Sequence, residues 1–327
     1  MEKKYSKNYI INTGIGLQSV DNISVSSYFK EQSEKYIKGE ISLEELDKLI
    51  SSYYKNKPNE EDRKAEADLS SIRIAKLISD DSFTFTVGQL ITIHKSLFEG
   101  ILENAGKLRA YNFSKREWIL NGKSVIYGDY RELENTLQFD FSIEKKFNYS
   151  KLNIDEIIDH LSIFISNLWQ IHAFEEGNTR TTAVFIIKYL RTLGFNVTNN
   201  TFAKNAWYFR NSLVRANYKD LTQGIVEDRS FLKLFLRNLL LKENNKLVNK
   251  ELSISYDTLM DKTNSSPANK VILKAMKENP NIRLEELSNL LNVSLRTTKT
   301  IVSKLKVEKK IKRMNGNKYG YWKIIEK

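Results

Sequence analysis

The 327-residue sequence predicts a mainly α-helical protein: a helical bundle carrying one β-hairpin, followed by a C-terminal winged helix-turn-helix. Three observations predict it. Apolar residues recur at three- and four-residue spacing through most of the chain. An Asn-Gly pair, Asn121-Gly122, lies between two apolar runs, Trp118 to Leu120 and Val125 to Tyr127, where both turn residues must take positive φ. The last sixty-one residues read as three short helices and then a basic hairpin.

Ser27 to Gly39 is the first helical stretch, with Tyr28, Phe29, Tyr36 and Ile37 on its apolar stripe and Gly39 as its stop. Ser42 and Glu45 form a capping box ahead of Leu43, Leu46, Leu49 and Ile50. This pair of helices is too small to be stable alone and should dock on the rest of the chain. Ala65 to Ile78 follows, and Thr86 caps a helix holding Leu90, Ile93, His94 and Leu97. Beyond the hairpin come helices over 153–171, 179–193 and 202–218. In the last region the helices are Pro267 to Glu278, Leu284 to Leu291 and Ser294 to Glu308. Strands at Lys309 to Met314 and Tyr319 to Ile325 flank Asn315-Gly316. The domain boundaries expected are 1–58, 59–245, a linker at 246–265, and 266–327.

The chain has no cysteine, which excludes disulfides and thiolate metal sites. Its start, Met1-Glu2-Lys3-Lys4-Tyr5, lacks the apolar run of a signal peptide, and no apolar stretch approaches the roughly 18 residues of a membrane span. A cytoplasmic protein is expected, with no membrane partner. The net charge of +12 is uneven: from Pro267 onward fifteen Lys and Arg face five Asp and Glu. A solvated surface is the ordinary reading of a basic block. Here Arg296, Thr297, Lys299 and Lys304 fall on the helix of the reader position, with Lys312 and Arg313 on the wing, so DNA is the partner expected there.

The stretch His172-Ala173-Phe174-Glu175-Glu176-Gly177-Asn178-Thr179-Arg180 carries the chemistry. His172 can serve as a base, because a neutral imidazole exists at pH 7. Glu176 offers a hard carboxylate suited to Mg²⁺, which takes one or two carboxylates plus phosphate oxygens. Gly177, Asn178 and Thr179 open a helix, so their N–H groups and the helix dipole make an anion site. Arg180, in the first turn, is electrostatically misplaced unless an anion compensates it, and can fork onto a phosphate. Each residue alone has a plain alternative: a structural histidine, a solvated carboxylate, a turn, a surface ion pair with Glu175. Phe174 reads as a core anchor of the loop.

The loop resembles the signature of the Fic family, His-x-Phe-x-Asp/Glu-Gly-Asn-Gly-Arg-x-x-Arg, through His172, Phe174, Glu176, Gly177, Asn178 and Arg180. The likeness runs from about Leu69 to about Leu239, and Ala105-Gly106-Lys107-Leu108-Arg109 resembles the family's approach segment. The resemblance implies a Fic-type bundle that transfers AMP from ATP, with Mg²⁺, to a Ser, Thr or Tyr hydroxyl of a target protein. It implies a target-docking flap at Ile119, Leu120, Asn121 and Gly122. Two positions depart from the pattern. Thr179 stands where the family has Gly, and its hydroxyl is expected to cap the helix. Ala183 stands where the family has a second Arg that holds the γ-phosphate, and Arg210 or Arg215 is expected to substitute. Trp207, Tyr208 and Asn211 are expected to recognise the base.

The N-terminal helices resemble an antitoxin-like inhibitory module, with Asp21-Asn22 in the inhibitory place. Because the second Arg is missing, inhibition is expected to be weakened or altered, and deletion of the residues before Pro58 to change activity little. Other readings stay open: a DNA-binding regulator with a nucleotide-sensing or inactive pocket, or an enzyme that uses another nucleotide or removes AMP. A homodimer is a further expected assembly.

Overall fold

The computed structural model describes residues 5–55, 62–254, 267–291, 293–314 and 320–325. The chain divides into two compact units, Met1–Ser253 and Ile254–Lys327. The first unit is helical: α1 (Lys7–Leu17), α2 (Ser27–Lys38), α3 (Leu43–Lys55), α4 (Asp62–Ser79), α5 (Val87–Phe98), α6 (Leu133–Lys146), α7 (Ile154–Ile171), α8 (Asn178–Thr192), α9 (Thr201–Ala216) and α10 (Ser230–Leu241). Among the described helices none is long and apolar enough to cross a membrane.

The predicted caps form. Ser42 Oγ accepts from the Glu45 N–H, and the Glu45 carboxylate accepts from the Ser42 N–H at 2.7 Å. Thr86 caps α5, and Asn153 with Glu156 makes a second capping box at α7. At the core of the bundle lies α8, whose residues from Asn178 to Leu190 are all buried. From Ala183 to Leu190 only Lys188 is charged, and a stretch apolar on most of its sides must be enclosed.

Helix α1 was not anticipated. It lies against α4 and α9, with Tyr9, Ile10, Ile11 and Leu17 buried. Its two glycines permit this close approach. A Cβ on Gly14 would lie 2.4 Å from the Ser71 carbonyl oxygen, and one on Gly16 would lie 2.3 Å from that of Ala203. Removing the residues before Pro58 would therefore strip out part of the core. The expectation that this deletion changes activity little is replaced by an expected loss of fold.

The segment 117–127 reverses direction as predicted but not as a strand ladder. Asn121 (φ 53°) and Gly122 (φ 81°) both take the left-handed conformation. Trp118–Leu120 is a single 3₁₀ turn, closed by the Gly122 N–H on the Glu117 carbonyl at 2.9 Å and the Glu117 N–H on the Lys123 carbonyl at 3.0 Å. Ile119 and Leu120, neighbours in sequence, are both buried. A strand would send them to opposite faces, so burial of both selects the tight turn.

The expected linker is in part structured. Asn249–Leu252 forms a 3₁₀ turn against α9, with Leu252 buried and Asn211 Nδ2 donating to Asn249 Oδ1. Residues 255–266 lie outside the described residues.

The second unit holds α11 (Pro267–Glu278), α12 (Leu284–Leu291), α13 (Leu295–Val307), and strands β1 (Ile311–Met314) and β2 (Tyr321–Ile324). The strands pair antiparallel, Ile311 opposite Ile324 and Met314 opposite Tyr321. Ile272, Met276, Leu287, Val302, Leu305 and Trp322 share its core. Ser294 caps α13 through the Thr297 N–H. The expected turn at Asn315-Gly316 lies outside the described residues.

Candidate functional site

The loop between α7 and α8 begins at His172, which ends α7 in the left-handed conformation (φ 50°, ψ 56°). The loop is braced from within. Asn178 Oδ1 accepts from the Phe174 N–H at 2.9 Å, and Asn178 Nδ2 donates to the Phe174 carbonyl at 2.7 Å. The Phe174 ring stacks on His94 at 3.8 Å. His94 Nδ1 accepts from the Gly106 N–H at 2.8 Å, which leaves the proton on Nε2 to be donated to the Glu176 carbonyl at 3.1 Å. Burial pushes the His94 pKa down to about 4, so it is neutral at pH 7. His94 is a structural histidine that ties the approach segment to the loop, a role the sequence did not reveal.

Arg109 fastens the other side. Its Nε donates to the His172 carbonyl at 2.7 Å, its Nη1 to the Tyr111 carbonyl, and its own N–H to the Ala173 carbonyl. Gly177 (φ 73°) turns the chain into α8. A Cβ there would fall 2.3 Å from the Phe98 ring, so glycine is required for both conformation and space. Thr179 does not cap α8 as expected. Its hydroxyl accepts from Trp169 Nε1 at 2.9 Å, and the helix has no side-chain cap. The first N–H groups of α8 thus have no side chain competing with an anion.

His172 is only 3 % exposed. Its ring stacks on Tyr127 at 4.0 Å and meets the edges of Phe113 and Trp169. Neither ring nitrogen has a hydrogen-bond partner among the described residues. Burial holds its pKa well below the usual 6.5, helped by the charge of Lys115. Lys115 also pairs with Glu176 at 3.3 Å.

A cavity of about 310 Å³ is lined by Asp21, Asn22, Arg63, Glu66, Glu176, Arg180 and Arg210, with Val20, Leu102 and Trp207 as its apolar wall. The structure thus brings Glu176, Arg180, Asp21 and Asn22 together. It does not place His172, Gly177, Asn178 or Thr179 on the same wall. Arg180, expected as a phosphate ligand, is 1 % exposed and already engaged. Its Nη2 donates to Glu66 Oε1 at 2.6 Å and its Nη1 to Gln18 Oε1 at 3.1 Å. Its Nε forms an ion pair with Asp21 Oδ2 at 2.8 Å. Its guanidinium lies over the Phe98 ring. The inhibitory place read at Asp21 thus reaches the first signature arginine, and Glu66 of α4, which the sequence reading missed, joins it there.

Of the residues expected to replace the absent arginine at 183, Arg210 lines the cavity but is held by both oxygens of buried Glu117, at 2.7 and 3.0 Å. Arg215 pairs with Asp228 instead. Of the residues expected at the base, Trp207 is on the wall; Tyr208 and Asn211 are buried and are not. In the flap, Ile119 and Leu120 face inward, while Asn121, Gly122 and Trp118 are exposed. In the second unit, Arg296, Thr297, Lys299 and Lys312 are exposed. Lys304 is half-buried, and Arg313 lies over Trp322. A shallow hollow follows α13 along Leu295, Arg296, Lys299, Thr300 and Ser303.

Glu176 fits a divalent cation only in company. Its carboxylate lies on the cavity wall, and among the described residues no three His, Asp or Glu side chains are placed to hold a metal ion together. A site of that kind suits Mg²⁺ brought with phosphate oxygens rather than a metal held by protein alone.

No curated protein matches the chain in sequence. Among solved structures it is similar to the N-terminal FIC domain of Bep8, a VirB-translocated effector from Bartonella sp. 1-1C. The identity is 18 %, with 54 % of this chain and 82 % of that one covered, and the TM-score is 0.41. It is also similar to a Fic family protein from Desulfovibrio desulfuricans G20 (12 %, 98 % and 88 %, 0.44) and to the N-terminal Fic domain of a Bartonella effector protein from Bartonella sp. AR 15-3 (18 %, 62 % and 90 %, 0.38). Residues 84–190 match the Fic/DOC family, a stretch that holds His94, the Arg109 brace and the whole loop from His172 to Arg180. Over these residues the chain carries a Fic domain of the Fic/DOC family.

Proposed function

We propose that the protein transfers the adenylyl group of ATP to a Ser, Thr or Tyr hydroxyl of a target protein. The Fic family generally transfers AMP or other nucleotide groups to proteins, and its members typically bind ATP and Mg²⁺. The observation that carries the reading is His172: a buried imidazole whose nitrogens have no partner among the described residues, held in a left-handed conformation by the Arg109 brace. A buried polar group without a partner costs stability, and such groups, like backbone outliers, concentrate where chemistry needs them.

In the reaction the target hydroxyl oxygen bonds to the α-phosphorus. The bond from that phosphorus to the bridging oxygen breaks, and pyrophosphate leaves. His172 takes the hydroxyl proton and passes it to solvent. The N–H groups of Gly177, Asn178 and Thr179 and the α8 dipole hold the phosphate oxygens, and Arg180 adds to them once Asp21 and Glu66 give way. Glu176 would hold Mg²⁺, which neutralises phosphate charge when bound. Exposed Trp118 and the exposed turn at Asn121-Gly122 offer the surface on which a target segment is aligned. Tyr127 and Phe113 must shift for the hydroxyl to reach His172. Incubation with ATP and Mg²⁺ should add the mass of one adenylyl group to the chain or to a supplied target. The reading fails if no mass is gained and ATP does not bind.

A second reading concerns Ile254–Lys327, where exposed Arg296, Lys299 and Lys312 favour a winged helix that binds DNA. Affinity for a duplex should fall steeply between 50 and 200 mM salt, by roughly 10³–10⁵ if six or more phosphates are contacted. Weak binding that ignores salt would count against it.

A further inference from the structure

We propose that Arg63 receives the distal phosphates of a nucleoside triphosphate and sets the preference for triphosphate over monophosphate. The inference rests on the nucleotide reading above and adds a residue that no feature of the signature loop reveals.

Three guanidinium groups line the cavity, and they are not equivalent. Arg180 is enclosed and meets Asp21, Gln18, Ser70 and Glu66. Arg210 is held in a two-point fork by Glu117. Arg63 has a side chain 66 % exposed and two long contacts, one to Glu66 Oε2 and one to the Asp21 carbonyl, each at 3.2 Å. Its other N–H groups have no partner among the described residues. The contact is open to solvent on the Arg63 side, where such a bond is weak and is given up readily for a stronger anion.

Position points the same way. Arg63 is the second residue of α4, where a cation opposes the helix dipole, and the Glu66 carboxylate beside it engages only one of its amino groups. Past Arg180, α8 offers the cavity no further cation: Ala183 is buried, and the Lys188 ammonium donates to the Leu77 carbonyl. The cavity wall carries three carboxylates, Asp21, Glu66 and Glu176, which repel a polyphosphate. Arg63 is joined through Glu66 and Asp21 to the Arg180 side of the cavity, whereas Lys115 is joined to the Glu176 side. Of the three guanidinium groups on the cavity wall, Arg63 is thus the one open to receive the outer phosphates of a nucleotide whose reacting phosphorus lies toward Glu176. A planar guanidinium at a solvated rim matches two phosphate oxygens at once.

The test is calorimetric titration of the full chain with ATP, ADP and AMP in Mg²⁺ buffer, for the wild type, Arg63→Met and Arg63→Lys. Arg63→Met should weaken ATP by roughly 10- to 100-fold, the worth of a charge-assisted two-point contact, and leave AMP nearly unchanged. Arg63→Lys should keep part of the ATP preference, because it keeps the charge and loses the fork. Thermal melting run alongside should move little, since Arg63 is open to solvent and Glu66 keeps its bond to Arg180. An ATP-to-AMP affinity ratio equal to that of the wild type in Arg63→Met overturns the inference alone. A wild type that binds none of the three overturns it together with the nucleotide reading.

Discussion

His172→Ala is expected to slow adenylyl transfer by about 10²–10⁴-fold, the usual worth of a positioned base. Nucleotide affinity should stay within roughly twofold, since the imidazole is not on the wall of the cavity that holds Glu176 and Arg180. The split between turnover and affinity is the informative part: a variant that had merely loosened the loop would lose both. The pH dependence of the wild type supplies a second, independent reading. Burial and the Lys115 charge lower the His172 pKa, so the neutral form required of a base persists as pH falls through 6.5. The kcat/KM profile, which reports the free protein, should remain flat there and break only at lower pH. Lys115→Met removes one of the lowering charges and should move that break upward. Initial rates of labelled adenylyl incorporation measure all three. A wild-type rate that already halves near pH 6.5, or an alanine variant within tenfold of it, would remove His172 from the mechanism.

The loop was legible because its parts are contiguous. A histidine, a carboxylate, a glycine turn and a helix start within nine residues constrain one another whatever the rest of the chain does. Helix positions and caps were legible for the same reason: Ser42–Glu45 and Thr86 act on N–H groups three residues away. Helix α1 was not, because Gly14 and Gly16 lower its own helical preference and only packing on α4 and α9 makes it helical. The flap shows the complementary error. The turn residues were right, but the period-two strands around them required alternation that Ile119 and Leu120, both buried, do not have.

Arg180 marks where sequence reasoning ran out. An arginine in the first turn of a helix calls for an anion, and a phosphate was assigned. The chain itself provides two carboxylates, Glu66 from 114 positions away and Asp21 from the N-terminal segment. Glu66 had one faint signal. It shares a face of α4 with Ser70, small enough to let α1 approach, and a carboxylate at such a packed position demands a cation.

Arg180→Met should therefore be costly in a way a phosphate ligand would not be, lowering unfolding stability by about 3–5 kcal/mol, the cost of stranding a buried charge. The group left short is Glu66, whose side chain is 9 % exposed and which keeps only the contact of its Oε2 with solvent-open Arg63; Asp21, more open to solvent, contributes less. Glu66→Gln in the wild-type background removes one charge and keeps a side chain of the same shape, so its own cost should be smaller. Combining it with Arg180→Met should restore part of the lost stability, because the uncompensated carboxylate is gone. Urea midpoints at constant slope would measure the cycle. A loss under about 1 kcal/mol for Arg180→Met, or strict additivity of the two changes, would show that the contacts bear no weight. A strong coupling has a functional consequence. Any phosphate that reaches Arg180 must displace Asp21 and Glu66, so nucleotide affinity in Glu66→Gln should rise as the internal competitor weakens, and the same carboxylates that hold α4 and the N-terminal segment to α8 would set how readily the site fills.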